Sequence, residues 1–428
     1  MRMRRRWIPL LVAVVAAGVA GLAGRVHRGA AAGPGPAPIT GGPAAAVTAT
    51  NRLALGLLTR LGGSGNAVFS PYSIEAALAM VYQGARGATA TQIGQVLGGA
   101  AAGPLGAASR ALAATLAADT AGPADGAKAS RATLLVANGL WVKRGLPLAS
   151  PFATALATEF GAAPQTLDFA GAPDAARGQI NDWIAAHTGQ LIKDLMGPGA
   201  IDARTALVLA DAIYLKARWA SPFVAASTAP AAFATAPGRH TRTPFMTQPA
   251  TAFDYGQGPG YRAVDLPYRD SRLSMLAVMP TLGTLPAFER QLTPASLAGI
   301  AAGLRPRQVD LSMPRLRLGL RADLIPALSA LGMPAAFTSA ADFAGITPAA
   351  SLTIAAVQHG AVLKLDEAGT VAAAATGITL TPTAEPLQRA IRLALDHPFL
   401  LFLRDDRTGA VLFAARVANP TLGGASGS

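Results

Sequence analysis

The sequence contains no cysteine among its 428 residues. Without thiols the chain cannot form disulfides, Cys-ligated zinc sites, iron–sulfur clusters or a cysteine nucleophile. Its five histidines, at positions 27, 187, 240, 359 and 397, are scattered and include no HExxH pair. The Gly-x-Ser-x-Gly, Ser-x-x-Lys and P-loop signatures are also absent. We therefore expect no enzyme, no metal centre and no cofactor.

Charged residues are scarce, at 14% of the chain against 51% apolar residues. This composition argues against a disordered chain and suffices for a large buried core. Lys and Arg number 36 and Asp and Glu 23, a net charge of +13; without the four arginines of Met1–Arg6 it is 13 − 4 = +9. Because these charges are dispersed, they do not indicate nucleic-acid binding.

A basic and then apolar segment opens the chain. Four arginines lie within residues 1–6, and residues 7–23 form an almost unbroken apolar run of 17 residues. This pattern over residues 1–23 is typical of a cleaved secretory leader, so we expect an extracellular or cell-envelope location. An uncleaved N-terminal anchor in a membrane is the alternative. Residues 24–47 have the Ala, Gly and Pro composition of a linker.

The predicted secondary structure changes along the rest of the chain. Apolar spacing predicts mainly helices up to residue 195 and mainly strands beyond it, with no repeat and no second linker. We therefore expect one α+β domain over residues 48–421, followed by a flexible tail over 422–428. The helices are predicted at 48–61, 74–83, 89–97, 104–118, 151–160 and 175–187, continued by 190–195. The main strands are predicted at 133–142, 207–217, 263–267, 273–279, 309–314, 355–366, 399–404 and 411–417.

One segment in the strand-rich half fits no packed element. From Ala368 to Arg389 the chain reads AGTVAAAATGITLTPTAEPLQR, about 22 small and polar residues. A structureless stretch of this length inside a domain is unusual and generally functional. Since it lies between two predicted strands, we expect an exposed loop.

Around this loop the sequence resembles the serpins, a family of serine-protease inhibitors, and it suggests a bacterial-type secreted or envelope member. The similarity extends from about Asn51 to Pro420. It is carried by NAVFSPYSIEAALAMVYQGARGATATQIGQVL (66–97), ANGLWV (137–142), INDWIAAHTGQLIKDLM (180–196), LVLADAIYLKARWASPF (207–223), MPRLRLGLRADLIPALSALGMPAAFTSAADF (313–343), DEAGT (366–370), DHPF (396–399) and ANP (418–420).

The resemblance implies a single-domain serpin fold with eight or nine helices, three β-sheets and an exposed reactive-centre loop over 368–389. It implies a monomeric suicide-substrate inhibitor. A target serine protease cleaves the loop, which inserts as a new strand between 207–217 and 355–366 and traps the acyl-enzyme. The alternative is a non-inhibitory serpin-fold protein with a chaperone, binding or structural role, whose loop is only cleaved or does not insert.

The resemblance also places the hinge of the loop. Alternate residues of an inserted strand face the interior, and from Thr370 these are small and uncharged. Gly369 gives the backbone freedom to turn inward. The family commonly has an acidic residue where this chain has Val371, a position expected to face solvent. The hinge residues are Glu367, Gly369, Thr370, Ala372, Ala373, Ala374, Ala375 and Thr376.

The family spacing from hinge to cleavage site points to Thr383–Ala384 as the scissile bond. Small residues there suit an elastase-like or subtilisin-like protease. Leu380 would instead suit a chymotrypsin-like pocket, and Arg389 a trypsin-like pocket.

The resemblance further assigns residues to the opening of the main sheet. Ser70, Ser73, Asp211 and His359 correspond to a polar "shutter" cluster, and Trp219 to the "breach" where the loop enters. The family generally has Asn at the position of Asp211. A carboxylate beside His359 favours the imidazolium, so we hypothesise that acid alters spontaneous insertion. An ordinary buried hydrogen-bonded pair is the alternative.

Five arginines raise a separate question. They alternate with apolar residues, which indicates the solvated face of a strand. A binding site for a polyanionic cofactor is the other possibility. The five are Arg305, Arg307, Arg315, Arg317 and Arg321.

Overall fold

The helices begin at residues that favour helix starts. The structure, a computed structural model, describes residues 42–121, 132–349, 351–370 and 390–423. Ser70 caps α2: its Oγ accepts the N–H of Ser73, and Pro71 occupies the first turn. The α-helices within the described ranges are α1 (Ala44–Leu58), α2 (Pro71–Tyr82), α3 (Gly87–Val96), α4 (Ala102–Ala121), α5 (Ser150–Phe160), α6 (Pro173–His187), α7 (Leu285–Gln291), α8 (Pro294–Gly303) and α9 (Ile325–Leu331).

Two helix boundaries differ from expectation. Helix α1 begins at Ala44 rather than Thr48, because residues 44–46 are alanines, which favour a helix, and they follow Pro43 at the cap. The predicted continuation over 190–195 is wrong. Helix α6 ends at His187, and Gly189 and Gln190 have φ values of 59° and 64°, which interrupt a right-handed helix.

The strands form two hydrogen-bonded networks within the described ranges. The nine-stranded network has the order β1-β15-β14-β8-β7-β6-β9-β13, with β5 on β6, and the six-stranded main sheet has the order β10-β11-β12-β4-β2-β3. The strands are β1 (Ala67–Phe69), β2 (Thr133–Lys143), β3 (Gln165–Leu167), β4 (Leu207–Arg218), β5 (Ala229–Ala236), β6 (Arg239–Gly258), β7 (Tyr261–Pro267), β8 (Leu273–Pro280), β9 (Arg305–Pro314), β10 (Leu316–Asp323), β11 (Ile354–Asp366), β12 (Gly369–Thr370), β13 (Ile391–Ala394), β14 (Phe399–Asp405) and β15 (Val411–Val417).

The long strand β6 accounts for two networks where three sheets were expected. It pairs with β5 over residues 239–245, with β9 over 245–255 and with β7 over 254–258, so it links strands that would otherwise form separate sheets. A register shift between Gln248 and Thr251 lets the strand bend. The sequence did not predict β5 or β6, because prolines and half-exposed polar residues weaken their strand pattern.

The main sheet is layered on helix α2. All twelve residues of α2 are buried, and the helix contacts β2 and β4 of the main sheet and β15 of the other network. Helix α6 covers part of the opposite, outer face, where Ile180 and Ile184 join Val208 and Ala210 in one apolar cluster. Helices α1–α6 precede residue 190 and strands β5–β15 follow residue 228, which confirms the predicted α+β arrangement.

None of the helices in the described ranges combines the length and the apolar character needed to cross a membrane. Residues 1–41, which include the predicted leader, lie outside those ranges.

Candidate functional site

At one end of the main sheet, the two-residue strand β12 lies between β4 and β11. Strand β12 pairs antiparallel with β11 on one side and with β4 on the other. Further along, β11 and β4 pair directly and in parallel, from Ile354 beside Leu207 to Ala361 beside Ile213. We call the end that holds β12 the upper opening and the directly paired part the lower seam.

The backbone at the first residue of β12 requires glycine. Gly369 has a φ of 153°, which side chains rarely adopt, and a Cβ there would lie 2.1 Å from the carbonyl oxygen of Ala217. The next residue, Thr370, is buried between Ala217 and Leu365. Its Oγ1 lies 2.5 Å from the Tyr268 hydroxyl. Burial raises the pKa of Tyr268, so this phenol stays neutral and able to donate.

Trp219 forms hydrogen bonds with the turn that leads into β12. Its backbone N–H donates to the carbonyl of Ala368, and its indole Nε1–H donates to the carbonyl of Asp366, both at 3.0 Å. The indole also stacks on Tyr268 with a ring separation of 4.5 Å. Trp219 therefore forms hydrogen bonds with the backbone where the predicted loop begins, and its role as a breach residue stays a prediction.

Glu367 ties the same turn to neighbouring elements. Its Oε1 accepts hydrogen bonds from Arg315 Nε at 2.7 Å and from Thr228 Oγ1 at 2.5 Å. Partial burial disfavours the carboxylate, but these hydrogen bonds and the Arg315 charge outweigh it and lower the pKa of Glu367. The glutamate is therefore ionised at neutral pH and paired.

The predicted shutter residues meet beneath the lower seam. Asp211 on β4 and His359 on β11 are direct neighbours in the sheet, and His359 Nδ1 lies 2.5 Å from Asp211 Oδ1. Ser73 Oγ donates to the same oxygen at 2.5 Å, and the Ser70 N–H donates to His359 Nε2 at 3.1 Å. All four side chains are almost wholly buried. The cluster thus joins both strands of the seam to the first turn of α2.

These hydrogen bonds bear on the hypothesis of an imidazolium at His359. Because Nε2 accepts the Ser70 N–H, that nitrogen carries no proton, and Nδ1–H donates to Asp211. This geometry is that of the alternative, an ordinary buried hydrogen-bonded pair. The effect of acid on insertion stays a prediction.

Asp, His and Ser here do not form a catalytic triad. Ser70 Oγ donates to the carbonyl of Leu412, and only the Ser70 backbone faces the ring. Among the described residues, the ring nitrogens of His359 therefore contact the Ser70 N–H and Asp211 rather than a hydroxyl group. In the described ranges, no cluster of three or more His, Asp or Glu side chains is suited to hold a metal.

Sequence reasoning missed two residues of the site. Asn138 Oδ1 on β2 lies 3.0 Å from Ser73 Oγ, and Tyr268 contacts both Trp219 and Thr370. An asparagine within the apolar strand β2 was a signal for the first. No local signal marked Tyr268, because its partners are distant in sequence.

The five arginines do not form one cluster. Arg305 and Arg307 lie on β9 of the nine-stranded network, whereas Arg317 and Arg321 lie on β10 at the edge of the main sheet. Along β10 exposed and buried residues alternate, as on a solvated strand face. Arg315 instead pairs with Glu367.

Part of the predicted site lies outside the described residues. Glu367, Gly369 and Thr370 are described. The hinge residues Ala372, Ala373, Ala374, Ala375 and Thr376, and the bond Thr383–Ala384, are not.

Comparison with known proteins agrees with this geometry. The family model described as "Serpin (serine protease inhibitor)" matches residues 48–420. An uncharacterized serpin-like protein of Thermococcus kodakarensis is 34% identical over 87% of this chain and 85% of its own length. The leukocyte elastase inhibitor of Bos taurus is 33% identical over 85% of this chain and 95% of its own. The crystal structure of uncleaved ovalbumin superposes with a TM-score of 0.78 at 25% identity, covering 89% of this chain and all of ovalbumin.

Proposed function

The chain belongs to the serpin family, and from that premise we propose that it inhibits a serine endopeptidase as a suicide substrate. One observation carries the proposal: Gly369 and Thr370 already pair as an antiparallel strand between β4 and β11. A longer strand in the same place would extend this pairing and separate β4 from β11 along the lower seam, where they now pair directly. Small, uncharged residues follow Thr370 in the sequence, so none brings a charge into the sheet.

The register of β12 predicts where each inserted residue would lie. Thr370 pairs with Ala217 and Leu365, and each further residue would pair one position earlier on both neighbours. Six positions on, Thr376 would stand between Asp211 and His359. Insertion would therefore separate these two side chains and place a small hydroxyl residue at the shutter cluster.

The proposed scissile bond is Thr383–Ala384, and the proposed target is an elastase-like or subtilisin-like protease. Small residues at the bond suit a shallow specificity pocket, and one relative carries the name leukocyte elastase inhibitor. Cleavage at Leu380 or Arg389 would indicate a chymotrypsin-like or trypsin-like target instead.

The test mixes the purified protein with one protease of each of these four classes. The expected result is a covalent complex that survives boiling on a denaturing gel, with a released peptide that starts at Ala384. A Thr370→Arg variant should be cleaved without forming the complex, because a buried unpaired charge opposes insertion. Thr370→Ser, which keeps the hydroxyl near Tyr268, should behave as the wild type.

Two results would favour the non-inhibitory alternative. The first is clean cleavage by all four proteases without any complex. The second is a melting temperature that does not rise after cleavage, since an inserted strand adds hydrogen bonds to the sheet. Both results together would overturn the proposal.

We also propose that the protein acts as a monomer outside the cytoplasm. The predicted leader over residues 1–23 supports an extracellular or cell-envelope location. N-terminal sequencing of the exported protein should find a start after Ala23. A start at Met1 in a membrane fraction would support the anchor instead.

A further inference from the structure

The chain between β13 and β14, residues 395–398, contains a histidine that the proposed function does not use. His397 belongs to the DHPF motif, and its side chain is only 14% exposed. Its Nδ1 lies 2.8 Å from Asp396 Oδ1, and its Nε2 lies 2.8 Å from the backbone carbonyl oxygen of Pro280, the last residue of β8. Each ring nitrogen is therefore within hydrogen-bond distance of an oxygen.

Both of these oxygens accept hydrogen bonds and donate none. A carboxylate and a backbone carbonyl carry no proton, so each ring nitrogen has to be the donor. A neutral imidazole carries a proton on one nitrogen, whereas an imidazolium carries one on each. Only the charged ring can therefore form both bonds. The buried His359 differs in this respect, because its Nε2 faces the N–H group of Ser70.

Two charged side chains lie beside the ring among the described residues that contact it or line the surface depression next to it. Asp396 is the first, and its hydrogen bond from His397 lowers the pKa of its carboxyl. Arg262 on β7 is the second, and it lowers the same pKa. The depression is also lined by Tyr261 of β7 and by the uncharged Gln257 of β6. Asp396 is thus ionised at neutral pH and can accept the bond.

Hydrogen bonds to three strands hold residues 395–398 in place. The N–H of Leu395 donates to β9 at 2.8 Å, and the backbone carbonyl of Asp396 accepts from β5 at 2.7 Å. The third bond is that of His397 to β8. The first two join backbone groups, which do not titrate, whereas histidine changes its charge between about pH 5 and 8. The attachment to β8 is therefore the one that depends on pH.

Strand β13 directly precedes these residues. It has four residues, and within the described ranges it pairs with β9 alone. It begins two residues after Arg389, the last residue of the predicted loop. A short strand that is paired on one side opens easily, so the attachment of the chain that follows it affects its stability.

We propose that His397 is a positioning residue: as an imidazolium it fixes residues 395–398 to β8, and loss of one ring proton as pH rises loosens β13. A neutral ring can donate to one of the two oxygens, so the other oxygen faces a nitrogen lone pair. Asp396 sets the acidic limit, since its carboxyl stays ionised at pH values where an ordinary aspartate is protonated. The consequence that β13 positions one end of the reactive-centre loop rests on the proposed function.

The test uses no protease, so its failure would leave the proposed inhibition untouched. Hydrogen exchange of the purified protein is followed by mass spectrometry at pH 6 and pH 8.5, on a peptide that contains residues 391–397. The rates are corrected for the pH dependence of amide exchange itself and expressed as protection factors. We expect the protection of β13 to fall about tenfold between the two pH values, the lower end of the range for a hydrogen bond to a charged group.

Three variants sharpen the test. His397→Arg keeps its charge and its donors at both pH values, so it should protect β13 equally at pH 6 and pH 8.5. His397→Gln is neutral and should give weak protection at both. His240→Gln replaces an exposed histidine of β6 and should reproduce the pH profile of the wild type.

Nitrogen-15 NMR of the ring gives an independent reading. A ring with a proton on each nitrogen has two similar nitrogen shifts, whereas a neutral ring has one protonated and one bare nitrogen with widely separated shifts. The signals of His397 are those that disappear in His397→Gln. We expect the pattern of the doubly protonated ring at pH 6.

Three outcomes would overturn the proposal. A neutral His397 ring at pH 6 would show that the two nitrogens do not both donate. Equal protection of β13 at pH 6 and pH 8.5 in the wild type would disprove the coupling to this strand. A fall in protection that persists in His397→Arg would assign the titration to another group.

Discussion

The lower seam and the upper opening are parts of the same two strands, yet they differ on both faces. In the lower seam, α2 covers the inner face with the shutter cluster, and apolar residues of α6 cover the outer face. At the upper opening, Thr370 meets Tyr268 on the inner face, and the outer face carries exposed Lys216 and Arg218. The seam is therefore stabilised by contacts on both faces of the sheet, and the opening by contacts on its inner face.

The sequence of β4 changes at the boundary between these regions. From Leu207 to Ile213 every residue is buried, whereas from Tyr214 onward partly or fully exposed residues alternate with buried ones. A strand covered on both faces has a continuous apolar run, and one that is open to solvent on one face alternates. Direct pairing with β11 ends at Ile213, where that run ends. The strand thus joins a region in which β4 and β11 pair directly to one in which β12 lies between them.

Loss of the His359 side chain should weaken the seam more than any change at the opening. His359→Ala leaves the Ser70 N–H and the Asp211 carboxylate without their ring partner in a buried site. We expect a loss of roughly 2–5 kcal/mol in the free energy of unfolding, measured by urea denaturation. His240→Ala, at an exposed histidine of β6, should change it by less than about 0.5 kcal/mol. A loss below about 1 kcal/mol for His359→Ala would mean that the cluster does not hold the seam.

Glu75 is buried on α2, the helix that supports the seam, and its carboxyl group makes the stability of the protein depend on pH. Burial raises the pKa of Glu75 to about 8, against a weaker lowering by the Ser109 hydrogen bond. The fold therefore binds a proton more tightly than the unfolded chain, and stability falls as pH rises from about 4.5 to about 8. We expect Glu75→Gln to stabilise the protein by roughly 2–3 kcal/mol at pH 7.

Thermal unfolding across this pH range measures the effect of Glu75→Gln. The gain should vanish below about pH 4, where the wild-type carboxyl is mostly protonated in both states. A gain that is equal at pH 4.5 and pH 8 would show that titration of Glu75 is not its cause.

At the upper opening, Tyr268→Phe should have a smaller and more local effect. The variant loses the hydrogen bond to Thr370 and keeps the ring stacked on Trp219. We expect a loss of about 1 kcal/mol at this site, seen as faster hydrogen exchange of Gly369 and Thr370. Tyr214→Phe, partly exposed on β4, is the matched control. If Gly369 and Thr370 exchange at the same rate in both variants, the Tyr268 hydroxyl does not stabilise β12.

Arg315→Gln should produce the smallest change, because Arg315 is half exposed. We expect a loss of about 0.5–1 kcal/mol, which high salt reduces. Since the pKa of Glu367 is lowered in the fold, this stability is present above the unfolded pKa and is lost as pH falls. Thermal unfolding at low and high salt, and again at acidic pH, checks it. A difference that persists unchanged in salt and acid would exclude an ion pair as the cause.

The α+β class and most helix and strand positions could be predicted from the sequence alone. These depend on local periodicity, on caps such as Ser70 and on motifs that can be compared directly. The contacts of Asn138, Tyr268 and Arg315 could not be predicted in this way. Such pairs depend on cross-strand register between distant segments: Asp211 and His359, in the same two strands, are 148 residues apart. Register follows from the packing of the whole sheet on α2, which no local pattern in the chain encodes.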